Sequence, residues 1–378
     1  MSRGRRIAPI LAICVAVAAA CGGGEDRAAS TSSDPTTNTA TTNTVPTSTV
    51  PTSTAAPTST AARAGPSPGC RSTGDRTRLE RIDLTVDGVA RSALVHVPPP
   101  GAAPSGPLPV VLSFHGVSGN AALQRGTDGL LALSDEHGFV VVHPEGLQVG
   151  LNDQVTGITG WDPDGSDVDD VAYVAALIDE LGATTCIDTA RVTATGFSAG
   201  GNMALVAACA LPERISAVAP VGAAYQPDGC TSAPPVPIMA FHGSDDVVVP
   251  IEGRDTVAAG TLLPVRAVLD EHARRNGCSG DATTTALSPR VRSLSWSGCE
   301  APVTLVELDE HGHAWPGRPM PFDRDVLVAL FAGSASTPPD PLMTAIGEQP
   351  DTMADNVLLT NVDVDATALI WEFFAGLH

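Results

Sequence analysis

A chain of 378 residues that is 43% hydrophobic can bury one large core and has length to spare. Its 42 acidic residues against 21 basic ones leave a formal charge of −21, which repels phosphate backbones and sets nucleic acid aside as a partner. No Lys occurs, so lysine Schiff-base and lysine general-base chemistry are excluded.

The first residues read as an export signal. Arg3, Arg5 and Arg6 give a positive start, and Ile7 to Ala20 is an apolar run too short to span a bilayer as a helix. It ends in Ala18-Ala19-Ala20-Cys21-Gly22, small residues before a Cys, which looks like a bacterial lipobox with Cys21 as the lipidation site. The alternative is ordinary secretion with cleavage after the alanines. Either way the mature protein lies outside the cytoplasm, and the lipobox reading adds an anchor on the outer face of the cell membrane. Residues 22–69 are nearly all Thr, Ser, Ala, Pro, Asn and Gly, and Val-Pro-Thr-Ser-Thr starts at both Val45 and Val50. With no apolar period this stretch cannot form a core and is expected to be a disordered tether. The expected organisation is therefore a signal at 1–21, a tether at 22–69 and one folded domain at 70–378.

In the folded region Leu84 to Val86 and Ser92 to Val97 are short strands around Asp87-Gly88, a strong hairpin signal. Pro109 to His115 is an apolar strand ending in His-Gly. Ala121 to His137 has helical character and is closed by Gly138. Phe139 to His143 is a buried strand. Val168 to Leu181 predicts a helix with Val168, Val171, Ala175, Ile178 and Leu181 on one face and acidic residues at its start. A strand follows at Arg191 to Phe197 and a helix at Ala199 to Leu211. Further strands are expected at Ile215 to Val221, Val236 to Phe241 and Thr304 to Leu308, and helices at Leu263 to Asn276 and Ala366 to Ala375. Strands alternating with helices imply an α/β fold, a mostly parallel sheet with helices on both faces.

Six cysteines, Cys70, Cys186, Cys209, Cys230, Cys278 and Cys299, fall in the folded region; an even number in an exported chain suggests disulfides. Cys278 and Cys299 flank one loop and are expected to pair. Pairing of Cys209 with Cys230 and of Cys70 with Cys186 is one arrangement of the other four. Zinc-type Cys or His spacing is absent from the sequence, so no metal is expected.

Gly196-Phe197-Ser198-Ala199-Gly200 lies between a strand and a helix, where glycines permit a sharp turn that presents a serine hydroxyl. A serine needs a base, and the base an orienting acid. Downstream, Phe241-His242-Gly243-Ser244-Asp245-Asp246 leaves one strand and His311-Gly312-His313-Ala314-Trp315-Pro316-Gly317 follows the last. Both lie where open parallel sheets bind ligands. Donors for a tetrahedral oxyanion are expected at the Ala199 N–H and, after Phe114-His115-Gly116, at the Val117 N–H. His115 itself reads as structural.

Together with His143-Pro144-Glu145-Gly146, Asp169-Asp170-Val171 and Val247-Val248-Val249-Pro250, these motifs resemble the secreted polyhydroxybutyrate depolymerase and feruloyl esterase group of α/β-hydrolases. The resemblance covers most of Leu84 to Trp315 and the helix Asp365 to Phe374. It implies an α/β-hydrolase fold and carboxylic ester hydrolysis through an acyl-enzyme. It also implies Asp246 rather than Asp245 as the acid, four residues before the Pro, and His313 rather than His311 as the base before Trp-Pro-Gly. Ser198 is the nucleophile, and no cofactor is needed. Trp161 and Trp315 are candidates to line the acyl or alcohol pocket, with core packing the other reading of Trp161. The substrate is expected to be a polyester oligomer or a plant-polymer ester. The chain departs from the group at about 320–360, an insertion that either covers the active site or lies at its edge. Two rival functions share these residues: a binding module that keeps the fold without catalysis, and a serine peptidase.

Overall fold

The link Asp87-Gly88 takes positive φ at both positions, 50° and 82°, the geometry that folds a right-twisted hairpin back on itself. It joins β1 (Arg81–Val86) to β2 (Val89–His96) in antiparallel register, Val86 opposite Val89. The computed structural model describes residues 65–71, 80–101, 106–149, 158–162, 168–225, 227, 230, 233–256, 260–320, 322–332 and 347–377. The expected signal, Cys21 and nearly all of the expected tether lie outside the described residues, as does part of the 320–360 segment.

After the hairpin come β3 (Leu108–Phe114), α1 (Ala121–Thr127), α2 (Leu130–His137), β4 (Val140–Pro144), β5 (Leu147–Val149), β6 (Ile158–Gly160) and α3 (Asp170–Thr184). Next are β7 (Ile187–Phe197), α4 (Ala199–Ala210), β8 (Ala217–Val221), β9 (Ile238–Gly243), β10 (Arg254–Thr256), β11 (Gly260–Leu262) and α5 (Val265–Arg275). The chain finishes with β12 (Thr283–Ser288), β13 (Val291–Ser295), β14 (Val303–Leu308), α6 (Arg324–Ala332), α7 (Pro350–Leu358) and α8 (Ala366–Ala375). Ten strands form one sheet in the order β1-β2-β4-β3-β7-β8-β9-β14-β13-β12. The run from β4 to β14 is parallel, and antiparallel strands close both edges. This is the α/β-hydrolase arrangement.

Period-two alternation divides the core between the two faces. Val110, Leu112 and Phe114 of β3 join Leu177 of α3, Met203 of α4 and Val268 of α5 on one side. Val111 joins Leu130 of α2 with Ile370 and Phe374 of α8 on the other. Three disulfides, Cys70–Cys186, Cys209–Cys230 and Cys278–Cys299, add covalent ties. Among the described residues no helix is long and apolar enough to cross a membrane.

Three local expectations change. The helix expected over Ala121 to His137 is two helices, parted at Asp128-Gly129. The buried Asp128 carboxylate accepts Ser113 Oγ at 2.7 Å, His143 Nε2 at 2.9 Å and Leu130 N at 3.0 Å, and these bonds turn the chain. The buried face of α3 is Tyr173, Val174, Leu177, Ile178 and Leu181, so Val168, Val171 and Ala175 stand beside it rather than in it. On that face the Arg91 guanidinium lies 3.9 Å over the Tyr173 ring while pairing with buried Asp170. The β12–β13 hairpin was not anticipated, because β12 is almost wholly exposed and carries no apolar alternation.

Candidate active site

Ser198 follows β7 directly and caps α4 with φ 55° and ψ −124°. A non-glycine residue held at such angles stores about 1–3 kcal/mol of strain, so the surroundings must fix it. They do so through backbone contact. A Cβ on Gly196 would stand 2.5 Å from the Gly200 carbonyl carbon, and one on Gly200 would stand 2.2 Å from Phe114 O. Only glycines let β7, α4 and the end of β3 approach this closely. Ser198 N–H donates to Val221 O at 2.8 Å, which ties the turn to β8. The Ala199 N–H begins α4, where the helix dipole favours developing negative charge. The loop after β3 runs alongside: a Cβ on Gly116 would meet Ser198 Cβ at 3.3 Å. Val117, the expected oxyanion donor, is the next residue in that loop.

Asp246 follows β9 and His313 follows β14. The His313 Nδ1–H donates to Asp246 Oδ2 at 2.7 Å. Val248 N–H and Val249 N–H both donate to Asp246 Oδ1 at 2.8 Å. Burial alone would raise the Asp246 carboxyl, but the His313 ring, the His242 ring and the backbone donors outweigh it and hold the group below the ordinary carboxylate value. The His313 ring lies 4.7 Å from the Phe197 ring, and a Cβ on Gly222 would be 3.4 Å from His313 Cε1. The His313 ring therefore lies against Phe197, the residue before Ser198, and Gly222, the residue after the carbonyl that accepts the Ser198 N–H. Among the described residues no hydrogen bond joins the Ser198 hydroxyl to the His313 ring.

The paired alternatives occupy different surroundings. Asp245 is exposed and accepts Ser244 Oγ at 2.6 Å. His311 accepts Asn361 N–H at Nδ1 and donates from Nε2 to Ala314 O, so both nitrogens serve the backbone. Burial lowers its pKa to about 4, which keeps it neutral. His242 donates from Nε2 to Val249 O at 2.7 Å and supports the Asp246 turn; burial holds its pKa down as well.

Both ring nitrogens of His115, which the sequence reads as structural, face backbone groups. His115 bonds Gly116 O and accepts Gly146 N–H, and burial lowers its pKa to about 4. Trp161 sits against His115 and Phe114 and donates from Nε1 to His115 O at 2.8 Å, the packing alternative. Trp315, expected to line a pocket, is 1% exposed and donates from Nε1 to Thr367 Oγ1 at 2.9 Å. It packs in the core with Ile370 and Phe374 of α8, where Thr367 gives the indole N–H a buried acceptor.

Asn356 is the residue that sequence reading missed. It comes from α7, inside the 320–360 segment, and reaches both loops. Its Oδ1 accepts His313 N–H at 2.9 Å and Val247 N–H at 3.3 Å, and its Nδ2 donates to Asp245 O at 2.6 Å. A lone Asn in a polar segment has no pattern that would have marked it.

Among the described residues no group of three His, Cys, Asp or Glu could hold a metal ion. A family model for Phospholipase/Carboxylesterase matches residues 105–262. NocK of Nocardia uniformis subsp. tsuyamanensis, named as a candidate esterase, is 28% identical over 281 residues, 68% of this chain and 80% of that protein. Feruloyl esterase B of Piromyces equi is 29% identical over 219 residues, 54% of this chain. The bifunctional acetylxylan esterase/xylanase XynS20E of Neocallimastix patriciarum is 28% identical over 234 residues, 60% of this chain. The chain spans only 39% and 31% of the length of these last two. The sheet order is that of the α/β-hydrolase fold, and in sequence the chain is similar to feruloyl and acetylxylan esterases and, over 105–262, to the phospholipase/carboxylesterase family.

Proposed function

We propose that this chain is an extracellular serine ester hydrolase acting through Ser198, His313 and Asp246. The reading rests on one observation above all: a buried His313–Asp246 pair, 2.7 Å apart, beside a serine held at positive φ between strand and helix. Asp246 accepts the Nδ1–H and so fixes the tautomer that leaves Nε2 free to take a proton. As Ser198 Oγ attacks the ester carbonyl carbon, its proton passes to His313 Nε2, and Asp246 stabilises the imidazolium. The Ala199 and Val117 N–H groups hold the oxyanion, each contributing about 3 kcal/mol to lowering the barrier. Collapse expels the alcohol, which takes the proton from His313 and leaves Ser198 acylated. Water, deprotonated by the same His313, then releases the acid. The missing Ser198–His313 hydrogen bond is no obstacle, since such bonds tighten when substrate binds.

The ester acyl group belongs to the classes named for the relatives and the resemblance: ferulate, acetate on polysaccharide, or hydroxyalkanoate. Three disulfides suit an oxidising compartment. With residues 1–21 as export signal and 22–69 as tether, Cys21 would carry the lipid that holds the 70–378 domain at the outer face of the membrane. Turnover of p-nitrophenyl acetate, methyl ferulate and hydroxybutyrate oligomers by wild type and Ser198→Ala tests the proposal. Wild-type turnover that Ser198→Ala abolishes is expected; equal rates in the two would remove Ser198 from the chemistry.

A further inference from the structure

We propose that Asn356 is a positioning residue for the His313–Asp246 pair, delivered by α6 and α7; this rests on the triad reading above. The three Asn356 bonds divide between the two loops. One goes to the backbone of His313 itself, and the other two go to Asp245 and Val247, the residues on either side of Asp246. The side chain is buried, and it clasps loops 43 and about 110 residues away in sequence.

The base loop is moulded around this clasp. Gly312 donates to Leu359 O at 2.8 Å, and a Cβ on Gly312 would stand 2.1 Å from Asn356 O and 2.8 Å from Asn356 Nδ2. The helix carrying Asn356 is itself held. Arg324 of α6 pairs with Asp351 at 3.0 Å and with Asp355 at 2.9 Å, both on α7. Met353, one turn before Asn356, packs with Val248 of the acid loop, and Val247, Val249, Phe331 and Val357 surround them.

The chemistry demands an amide. The site holds two N–H groups that take an acceptor and one carbonyl that takes a donor, with the bond to His313 N–H fully buried and the other two part-buried. Asp would keep the acceptor and lose the donor, and Leu would lose both at similar volume. Displacing a catalytic group by about 1 Å costs about 10²-fold in rate. Helix α7, tied to α6 through Arg324, thus braces the two loops that carry His313 and Asp246.

The test uses the full mature chain, p-nitrophenyl acetate, and a fluorophosphonate to count reactive sites at the end point. Asn356→Leu should lower kcat per labelled site about 100-fold with KM within about threefold. Asn356→Asp should recover part of that loss. In proton NMR the downfield His313 Nδ1–H resonance should shift or broaden in Asn356→Leu. Wild-type kcat per labelled site and an unmoved resonance in Asn356→Leu would overturn the positioning role while leaving the esterase reading intact. A drop confined to the number of labelled sites would overturn it too, because that marks a folding role only. If Asn356→Leu does not fold, Asn356→Asp decides, and unchanged kcat there counts against the proposal. A wild type that is folded, yet neither labels nor turns over, removes the esterase reading and this inference with it.

Discussion

The serine turn and the acid–base pair are built in opposite ways. The turn is local: Gly196 to Gly200 supplies both the residue and the glycines that let three backbones touch. The pair is assembled from the ends of β9 and β14 and held from outside by α7. Local sterics leave a signature in contiguous sequence, whereas an assembled site depends on partners that no short motif records.

The comparison predicts different failures. Ser198→Ala removes the attacking atom and should lower kcat about 10⁶-fold while the melting temperature stays near wild type. Asp246→Asn should cost about 10⁴-fold in kcat, because an amide cannot fix the same tautomer, and Asp245→Asn should stay within about threefold. The reverse order in that pair would move the acid by one residue. Gly200→Ala should act through the fold instead. With Phe114 O at 2.2 Å from the new Cβ, the backbones must part, and thermal unfolding should show a loss of about 1–3 kcal/mol. A well-folded, fully active Gly200→Ala would break the steric account of the turn.

A further expected effect is a pH dependence away from the chemistry. His115, His272 and His311 are buried, and their pKa values fall to about 4 from an ordinary value of 6.5. Between those values the unfolded chain binds more protons than the folded one. Their contribution to stability is therefore present above pH 6.5 and is lost as the pH falls toward 4, by at most about 1.4 kcal/mol per pH unit for each group. His272→Gln should flatten the melting-temperature profile across that window, and an unchanged slope would remove His272 from the linkage.

Much of the fold was legible because the β3, β4, β8, β9 and β14 strands are short, mostly apolar runs between turn signals, whereas β7 starts at Ile187, four residues before the expected Arg191, through the polar stretch Asp188 to Arg191. The break between α1 and α2 was not. Its cause, Asp128, is bound by Ser113 and His143, residues on strands that only the fold brings together. The face of α3 was misplaced because an aliphatic count ignores Tyr173, whose ring is covered by Arg91 from β2. At the site, His313 Nδ1 bonds Asp246 Oδ2 and its ring lies against Phe197, the residue before Ser198. Trp315 shows the limit of motif reading, since its sequence position follows the base but its indole serves the core.

The central claim is that His313 activates Ser198 for attack on an acyl carbon. The most direct measurement is mass-spectrometric mapping of a fluorophosphonate adduct on the folded protein, comparing wild type with His313→Ala. A single adduct on Ser198 in wild type, formed far more slowly in His313→Ala, is the predicted result. Folded wild-type protein that stays unlabelled, or a label on Ser198 at the same rate in both, would contradict it.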